Sequence, residues 1–445
     1  MVIRSVAFHH FGCKVNFSEG SALSREFKGK GFKIVDFHER ADCYVISTCI
    51  VTAAAEKKCR AAIRQVHKKN PDAFIAVIGC YSELRPETLS GMEGVSMILG
   101  TSDKFLLLEK LSAMGVQMPD SGTDSPDPDD NGHYHGGIGN GLKSGSSDFV
   151  AAWSSDDRTR SFLKIQDGCD YFCSYCTIPL ARGRSRSDTI DGVLDNARKI
   201  GATGIREMVL TGVNIGDFGR HQNENLLQLI RRLDDIGPVS RIRISSIEPD
   251  LLSDEIIEFI AASRHFMPHF HIPLQSGSDR ILKQMRRKYD KALYAGRVGR
   301  IRTLLPHACI AADLITGFPG ETEEDHQETI KFLKDIDISY IHVFTYSARP
   351  DTRAAGFSDP VSPGLKTLRS RELHRLSEEK KRKFYRTNAG RQARVLFESS
   401  NTGGRMDGFT ENYIKVSQIF DPAWINQIRE IELSGLDEKE IIFNL

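Results

Sequence analysis

The sequence lacks an excess of either charge: 60 Lys and Arg face 59 Asp and Glu over 445 residues, a formal net charge of +1. That balance excludes a protein basic throughout, such as a histone or a polybasic membrane adaptor, but not a local basic surface. No apolar run approaches ~20 residues, which excludes a transmembrane helix. The start, Met1-Val2-Ile3-Arg4-Ser5-Val6-Ala7-Phe8, lacks the signal-peptide order of charge, apolar run and small-residue cleavage site, and reads as a first strand. The nine cysteines are therefore expected in a reducing, cytoplasmic setting, where clustered thiols more often mean metal or catalysis than disulfides. Histidine is absent from residue 150 to residue 220, which bears on the choice of metal below. What is present, 40% hydrophobic and 27% charged residues, describes an ordinary globular chain. Its length suits two to four domains.

Over the first ~115 residues strand and helix patterns alternate. Strands are predicted at Val6–Phe11, Cys43–Ser47 and Phe74–Ile78, and helices at Asn16–Lys30, Thr52–Lys69 and after Pro86. Alternation of this kind predicts a small parallel sheet covered by helices. Residues 119–147 break all periodicity, with 23 of 29 positions Pro, Asp, Ser, Gly, Thr or Asn, and read as a mobile linker or insertion. From Arg160 a longer series begins, with strands expected at Phe162–Ile165, Glu207–Leu210, Arg241–Ser245, His269–Ile272, Ala308–Ile315 and Tyr340–Thr345. Helical patterns lie between them, for example at Ile190–Ile200, Leu226–Leu233 and Glu323–Ile336. Six strands separated by helices suggest a partial (β/α)6 barrel with its chemistry at the strands' carboxyl ends. A long basic helix follows Gly364, then short strands at Gln392–Phe397, Asn412–Val416 and Arg429–Leu433 suggest a small β-barrel.

Gly168-Cys169-Asp170-Tyr171-Phe172-Cys173-Ser174-Tyr175-Cys176 has the spacing C-x3-C-x2-C directly after the first strand of the long series. Three thiolates on one loop can hold three irons of a [4Fe–4S] cluster and leave the fourth open to a substrate or cofactor. A closed zinc site needs four ligands, and neither a histidine nor a fourth cysteine is near. This loop resembles the signature of the radical S-adenosylmethionine (SAM) superfamily. The resemblance implies that the open iron binds SAM, that an electron from the cluster cleaves it to methionine and a 5′-deoxyadenosyl radical, and that Tyr175 sits near the adenine.

Three further cysteines share a setting. Gly12-Cys13, Thr48-Cys49 and Gly79-Cys80 each follow one of the first three strands, and in a parallel sheet such positions converge on one edge. They predict a second three-cysteine cluster, whereas Cys43, Cys59 and Cys309 read as buried small hydrophobes. With these features the chain resembles the radical-SAM methylthiotransferase family. His271-Ile272-Pro273-Leu274-Gln275-Ser276-Gly277-Ser278 with Met285 and Arg287, Gly317-Phe318-Pro319-Gly320-Glu321 and Tyr346-Ser347-Ala348-Arg349-Pro350 carry the same resemblance. Phe11-Gly12-Cys13-Lys14-Val15-Asn16 and Ser47-Thr48-Cys49-Ile50-Val51-Thr52 look most like the MtaB type, with Ile50 in place of an expected Thr.

The fold class this implies is α/β and multidomain. It consists of an N-terminal methylthiotransferase α/β domain over 1–117, a linker or insertion over 118–157, a radical-SAM barrel over 158–384 and a TRAM-like RNA-binding β-barrel over 385–445. The implied activity is methylthiolation of N6-threonylcarbamoyladenosine at position 37, beside the tRNA anticodon. One SAM would methylate a sulfur carried on a Cys13/Cys49/Cys80 cluster, and a second, on a Cys169/Cys173/Cys176 cluster, would give the hydrogen-abstracting radical. The implied partners are tRNA, through its anticodon stem-loop, and an electron donor such as a flavodoxin or ferredoxin, with no membrane. Sister groups act on isopentenyl-adenosine in tRNA or on a ribosomal-protein aspartate, and a non-catalytic iron–sulfur RNA-binding protein is the reading from a different class.

For SAM, the candidates are Thr211, Gly212 and Asn214 after the second barrel strand, Ser245, Ser246 and Glu248 after the third, Gln275 and Ser276 in the family segment, and Gly317, whose turn would allow close backbone approach. For RNA, residues 364–394 contain eleven Lys or Arg against three Glu, including Lys380-Lys381-Arg382-Lys383. Leu365, Leu368, Leu373 and Leu376 are expected on one helical face, with the basic side chains outside as phosphate contacts. A modified anticodon-loop base would have to leave its stack to reach a buried radical.

Overall fold

The computed structural model describes residues 2–117, 119, 149–155 and 159–445; the polar stretch 119–147, read above as a linker or insertion, lies almost wholly outside the described residues. The chain divides into two compact units, the first formed by Met1–Ser154, Asp167–Asp170 and Cys176–Arg186, the second by Ser155–Gln166, Tyr171–Tyr175 and Ser187–Leu445.

In the first unit five parallel strands lie in the order Lys33–Val35, Ser5–His10, Cys43–Thr48, Phe74–Gly79, Val95–Leu99. The central strands CYVIST and FIAVIG are buried on both faces, as a parallel sheet covered by helices requires. Helix Lys14–Gly29 contributes Leu23 and Phe27 to one apolar layer, and helix Ala53–Lys69 contributes Cys59, Ile63 and Val66 to the other. Thr52 caps the second helix by accepting from the Ala55 N–H. Cys43 and Cys59 are fully buried members of these layers, as expected of small hydrophobes. The edge strands Lys33–Val35 and Val95–Leu99 were not expected, because short half-exposed strands carry too little periodicity to read.

In the second unit, Arg160–Lys164, Glu207–Thr211 and Arg241–Ile244 pair in parallel, as do His269–His271, Cys309–Thr316 and Tyr340–Thr345. Isolated parallel bridges, Ile242 with Phe266 and Ser246 with His271, link the two sets into one series. Helices such as Ile190–Ala202, Leu226–Ile236 and Glu323–Asp335 lie between strands along the chain, the last two started by reciprocal capping boxes at Asn225 and Thr322. Cys309 is fully buried, as expected. The C-terminal part is a six-stranded sheet in the order Ile428–Glu432, Gln392–Phe397, Arg405–Thr410, Lys415–Ile419, Ile442–Asn444, Leu436–Asp437.

Two expectations here are corrected. Asn412–Val416 is not one strand: Asn412 and Tyr413 form a turn between Arg405–Thr410 and Lys415–Ile419. Thr410 Oγ1 and Asn412 Oδ1 lie 2.7 Å apart and Tyr413 has φ of 66°, so side-chain bonding and a left-handed residue reverse the chain where β-formers suggested continuity. The basic helix Pro363–Thr387 forms, but its apolar face is narrower than expected. Leu368 is exposed, while Arg369 is buried in its stead, with Nη1 2.7 Å from Glu321 and Nη2 3.1 Å from Glu323.

Candidate active site

At the carboxyl edge of the first unit's sheet, each of three adjacent strands ends at a cysteine. Cys13 stands at the N-cap position of helix Lys14–Gly29, without a side-chain capping bond, Cys49 follows Cys43–Thr48, and Cys80 opens the short helix after Phe74–Gly79. The approach is tight at Gly12, which has φ of +96°. A Cβ there would lie 2.8 Å from Cys49 Cβ and 2.9 Å from its Sγ, so only glycine allows this contact. Burial pushes the Cys49 thiol up to about 12, and the neighbouring thiols of Cys13 and Cys80 push in the same direction. The Cys80 thiol is also raised by burial, and is opposed there by the cations Arg182 and Lys104.

Sequence reasoning passed over these two cations. Arg182 is fully buried and donates to Asn16 Oδ1 at 2.5 Å, Asp167 Oδ1 at 2.9 Å, and Glu19 at 3.0 and 3.2 Å. Lys104 Nζ reaches the same Glu19 at 2.5 Å. Asn16 in turn donates to the carbonyls of Phe11 and Thr48, both at 2.9 Å, tying two of the cysteine-bearing loops together. Arg182 stands in a stretch that reads as ordinary basic loop, and nothing local marks it as buried.

The second constellation sits on one short loop. Gly168 has φ of +68°, and a Cβ there would strike the Arg184 carbonyl oxygen at 1.9 Å; the next residue, Cys169, donates its N–H to Gly183 O at 3.1 Å. Ile178 N–H points at Cys176 Sγ, 3.5 Å away. Cys173 lies 3.1 Å from Arg287 Nη1, whose charge opposes the rise that burial imposes on this thiol. Arg287 also forms an ion pair with Glu248 and reaches the Tyr175 hydroxyl at 3.5 Å. Burial lifts the Glu248 carboxyl to about 7, with Asp250, Asp313 and Asp217 adding and Arg287 opposing. Tyr175 packs on a cluster containing Met285, Phe318 and Tyr346.

The remaining candidates lie at strand ends. Gln166 Oε1 accepts from the backbones of Val213 at 2.9 Å and Asn214 at 2.8 Å, and would be 2.8 Å from a Cβ on Gly212. Asn214 Nδ2 donates to Asp217, and Thr211 is buried. Asn214 Oδ1, Ser245 Oγ and Thr316 Oγ1 are buried without a hydrogen-bond partner among the described residues. Native structures rarely leave such atoms unpaired. Thr316 was not foreseen. Ser246 bridges to His271, Gln275 takes φ of 66°, and Ser276 Oγ accepts from the Ser278 N–H at 3.2 Å. Gly317 has φ of +75°, a left-handed conformation that favours glycine, and Lys366 lies 2.5 Å from a Cβ placed there.

Of the basic run, only Lys383 is plainly exposed. Lys380 donates to Ile336 O at 2.8 Å, and its burial lowers the ammonium to about 8. Lys381 lies over the Tyr385 ring, and Arg382 donates to Glu438 O and Glu378. Arg386, one turn on and exposed, pairs with Glu438 at 2.6 Å. The expected wholly outward basic face is thus partly spent on packing, because long cationic side chains bury their stems.

A model of the uncharacterized protein family UPF0004 matches residues 5–100, and the radical SAM superfamily matches residues 163–333. The threonylcarbamoyladenosine tRNA methylthiotransferase MtaB of Bacillus subtilis is 37% identical over 93% of this chain and 90% of its own length. A tRNA-2-methylthio-N(6)-dimethylallyladenosine synthase of Methylacidiphilum infernorum is 29% identical over 97% of this chain and 93% of its own. Among solved structures, the radical S-adenosylmethionine methyltransferase TsrM of Kitasatospora setae aligns with TM-score 0.55 and 16% identity, covering 79% of this chain and 77% of that one, a likeness of fold.

Proposed function

The chain belongs to the MtaB-type radical-SAM methylthiotransferases, enzymes that use [4Fe–4S] clusters and SAM on threonylcarbamoyladenosine in tRNA, and we infer that its two cysteine triads divide that task. Cys13, Cys49 and Cys80 would hold one cluster, and Cys169, Cys173 and Cys176 the other. The observation that carries this reading is the arrival of three thiols from three successive strands at one sheet edge, with Gly12 against Cys49 and two buried cations facing Cys80. Thiolates are the ligating form, and nearby cations favour them, so the donor set fits an iron cluster. The unpartnered Ser245 Oγ, Asn214 Oδ1 and Thr316 Oγ1 fit the polar ends of SAM. When bound, these cofactors supply radical hydrogen abstraction and a methylated sulfur.

The chain's own contributions follow from its geometry. Arg182 neutralises Glu19 and Asp167 and keeps positive charge beside Cys80. Arg287 holds Cys173 Sγ and Glu248 with the two arms of its guanidinium. Gln166 fixes the loop 212–214 that follows the second strand of the series. Thr211, Gly212, Asn214, Ser245, Ser246, Glu248, Gln275, Ser276 and Tyr175 would line the SAM site, and the turn at Gly317 would shape it.

The same proposal takes the parallel series as a partial (β/α)6 barrel within 158–384, preceded by the methylthiotransferase domain 1–117 and the stretch 118–157, and the final sheet as a TRAM-like domain over 385–445. The modified base would be adenosine 37 of the anticodon loop, with Lys380, Lys381, Arg382 and Lys383 near the RNA. Electrons would come from a flavodoxin or ferredoxin, and the setting would be cytoplasmic. Among the described residues no helix is long and apolar enough to cross a membrane.

Nucleoside mass spectrometry of tRNA from a strain deleted for this gene tests the reading. The 2-methylthio derivative of N6-threonylcarbamoyladenosine should vanish, return with the wild-type chain, and stay absent with Cys173→Ala. Its persistence in the deletion strain would overturn the assignment.

A further inference from the structure

One cluster in the second unit is used by nothing above. His271, Asp313 and His342 come from three neighbouring parallel strands and share a face. Asp313 stands opposite His342 in register, and His271 opposite Ala311, two residues before Asp313. One ligating atom from each lies within 4.8 Å of the others. His271 Nε2 is 2.7 Å from Asp313 Oδ1, and the two imidazoles meet edge to face with centroids 5.3 Å apart.

The position of this group along the strands is informative. Towards the amino ends the same face is closed: His269 stacks on Tyr413 at 4.6 Å, and Arg243, 5.0 Å from that ring, donates to the carbonyls of Thr410 and Glu411. Towards the carboxyl ends, Ser246 bridges to His271, and Glu248, two residues further on, pairs with the arginine that touches Cys173. Between floor and cysteine, the three side chains remain wetted: His271 and Asp313 are 20% and 19% exposed, and His342 more so.

We propose that His271, Asp313 and His342 receive the polar N6 substituent of the substrate adenosine and select it against an apolar one. The inference rests on the function proposed above and names its specificity residues. A threonylcarbamoyl group ends in a carboxylate and carries a hydroxyl, whereas the dimethylallyl group named for other relatives is a hydrocarbon. The His342 imidazole N–H donates to the carboxylate. Asp313 accepts from His271, fixing that ring, and offers its second oxygen to the hydroxyl. A dimethylallyl group in the same place strips water from three polar side chains and returns no hydrogen bond. Sites built to hydrogen-bond a substrate group reject analogues lacking it far more strongly than apolar pockets reject an added group.

The test uses holoenzyme and labelled anticodon stem-loops carrying threonylcarbamoyl-, dimethylallyl- or unmodified adenosine, with Kd read by fluorescence anisotropy. Wild type should bind the threonylcarbamoyl loop at least ~10-fold tighter than the other two. His342→Leu should erase most of that preference while leaving the Kd for the unmodified loop in place, and His342→Gln, which keeps a donor, should restore part of it. Iron content and melting temperature verify that each variant is folded. An undiminished preference in folded His342→Leu overturns the proposal, as does loss of the wild-type preference on adding EDTA, which would mean a bound cation in place of direct contact. Wild type that prefers the threonylcarbamoyl loop but forms no methylthio product would instead refute the function itself.

Discussion

A single guanidinium, that of Arg182, faces two carboxylates and an amide with no solvent access, and removing one side of such a group leaves the other charges buried and unpaired. Arg182→Ala should therefore cost about 3–5 kcal/mol. Lys104 remains to hold Glu19, and Asp167 keeps the partly exposed Arg186 at 3.1 Å and the Gly168 N–H at 2.8 Å, but neither replaces the buried guanidinium between the two carboxylates. Thermal unfolding of the iron-loaded protein checks this, and a melting point equal to wild type would show that water or rearrangement replaces the arginine. A second expectation concerns the radical-SAM loop. Replacing Cys169, Cys173 or Cys176 by Ala should abolish 5′-deoxyadenosine formation and remove about half the bound iron, since three thiolates are the smallest anchor that leaves one iron open. Normal 5′-deoxyadenosine from any of the three would contradict the ligand assignment.

Among the elements, helix Lys14–Gly29 holds a carboxyl that burial lifts to about 7, that of Glu26, whose Oε2 has no hydrogen-bond partner among the described residues. In the unfolded chain this group ionises near its ordinary value, so its contribution to stability is full below about pH 4.5 and is lost as pH rises towards 7. Glu26→Gln, which cannot ionise, should stabilise the protein at pH 8 by about 2–3 kcal/mol relative to wild type, and by much less at pH 4.5. Equal shifts at the two pH values in denaturant melts would refute the linkage. The long helix Pro363–Thr387 makes a different division. Lys380 and Lys381 are half-buried, whereas Lys383 and Arg386 are exposed and make only surface ion pairs of small worth. Lys383→Gln with Arg386→Gln should flatten the salt dependence of tRNA binding by about 1–2 in log–log slope, and Lys380→Met with Lys381→Met by less. The reverse order in a salt titration would place the RNA on the other side of this helix.

At the scale of the whole molecule, the two cysteine triads should be separable. Cys169, Cys173 and Cys176 are local to one loop, so replacing Cys13, Cys49 and Cys80 together by Ala should leave 5′-deoxyadenosine formation in place. The same variant should yield no methylthio-adenosine, because nothing would remain to carry the sulfur. Product at near wild-type yield, measured by nucleoside mass spectrometry, would return those three cysteines to the role of core residues.

What the sequence by itself determined is whatever is written in local order. The C-x3-C-x2-C loop, the strand-then-cysteine pattern at Cys13, Cys49 and Cys80, and the central strands Cys43–Thr48 and Phe74–Gly79 depend on neighbours along the chain, and the structure has them within a residue or two of where they were expected. What only the tertiary structure decided is which polar groups lose water and which partners they meet. Arg182, Lys104 and Glu19 lie 78 to 163 residues apart along the chain and meet in a buried network. Leu368 and Arg369 exchange the roles that helical periodicity assigns them, because Glu321 offers a buried partner from a distant turn. His271, Asp313 and His342 become one group only through strand register. Periodicity records the hydrophobic effect, which follows apolar area whichever partner covers it, whereas charge pairing under burial depends on which distant segments fold together.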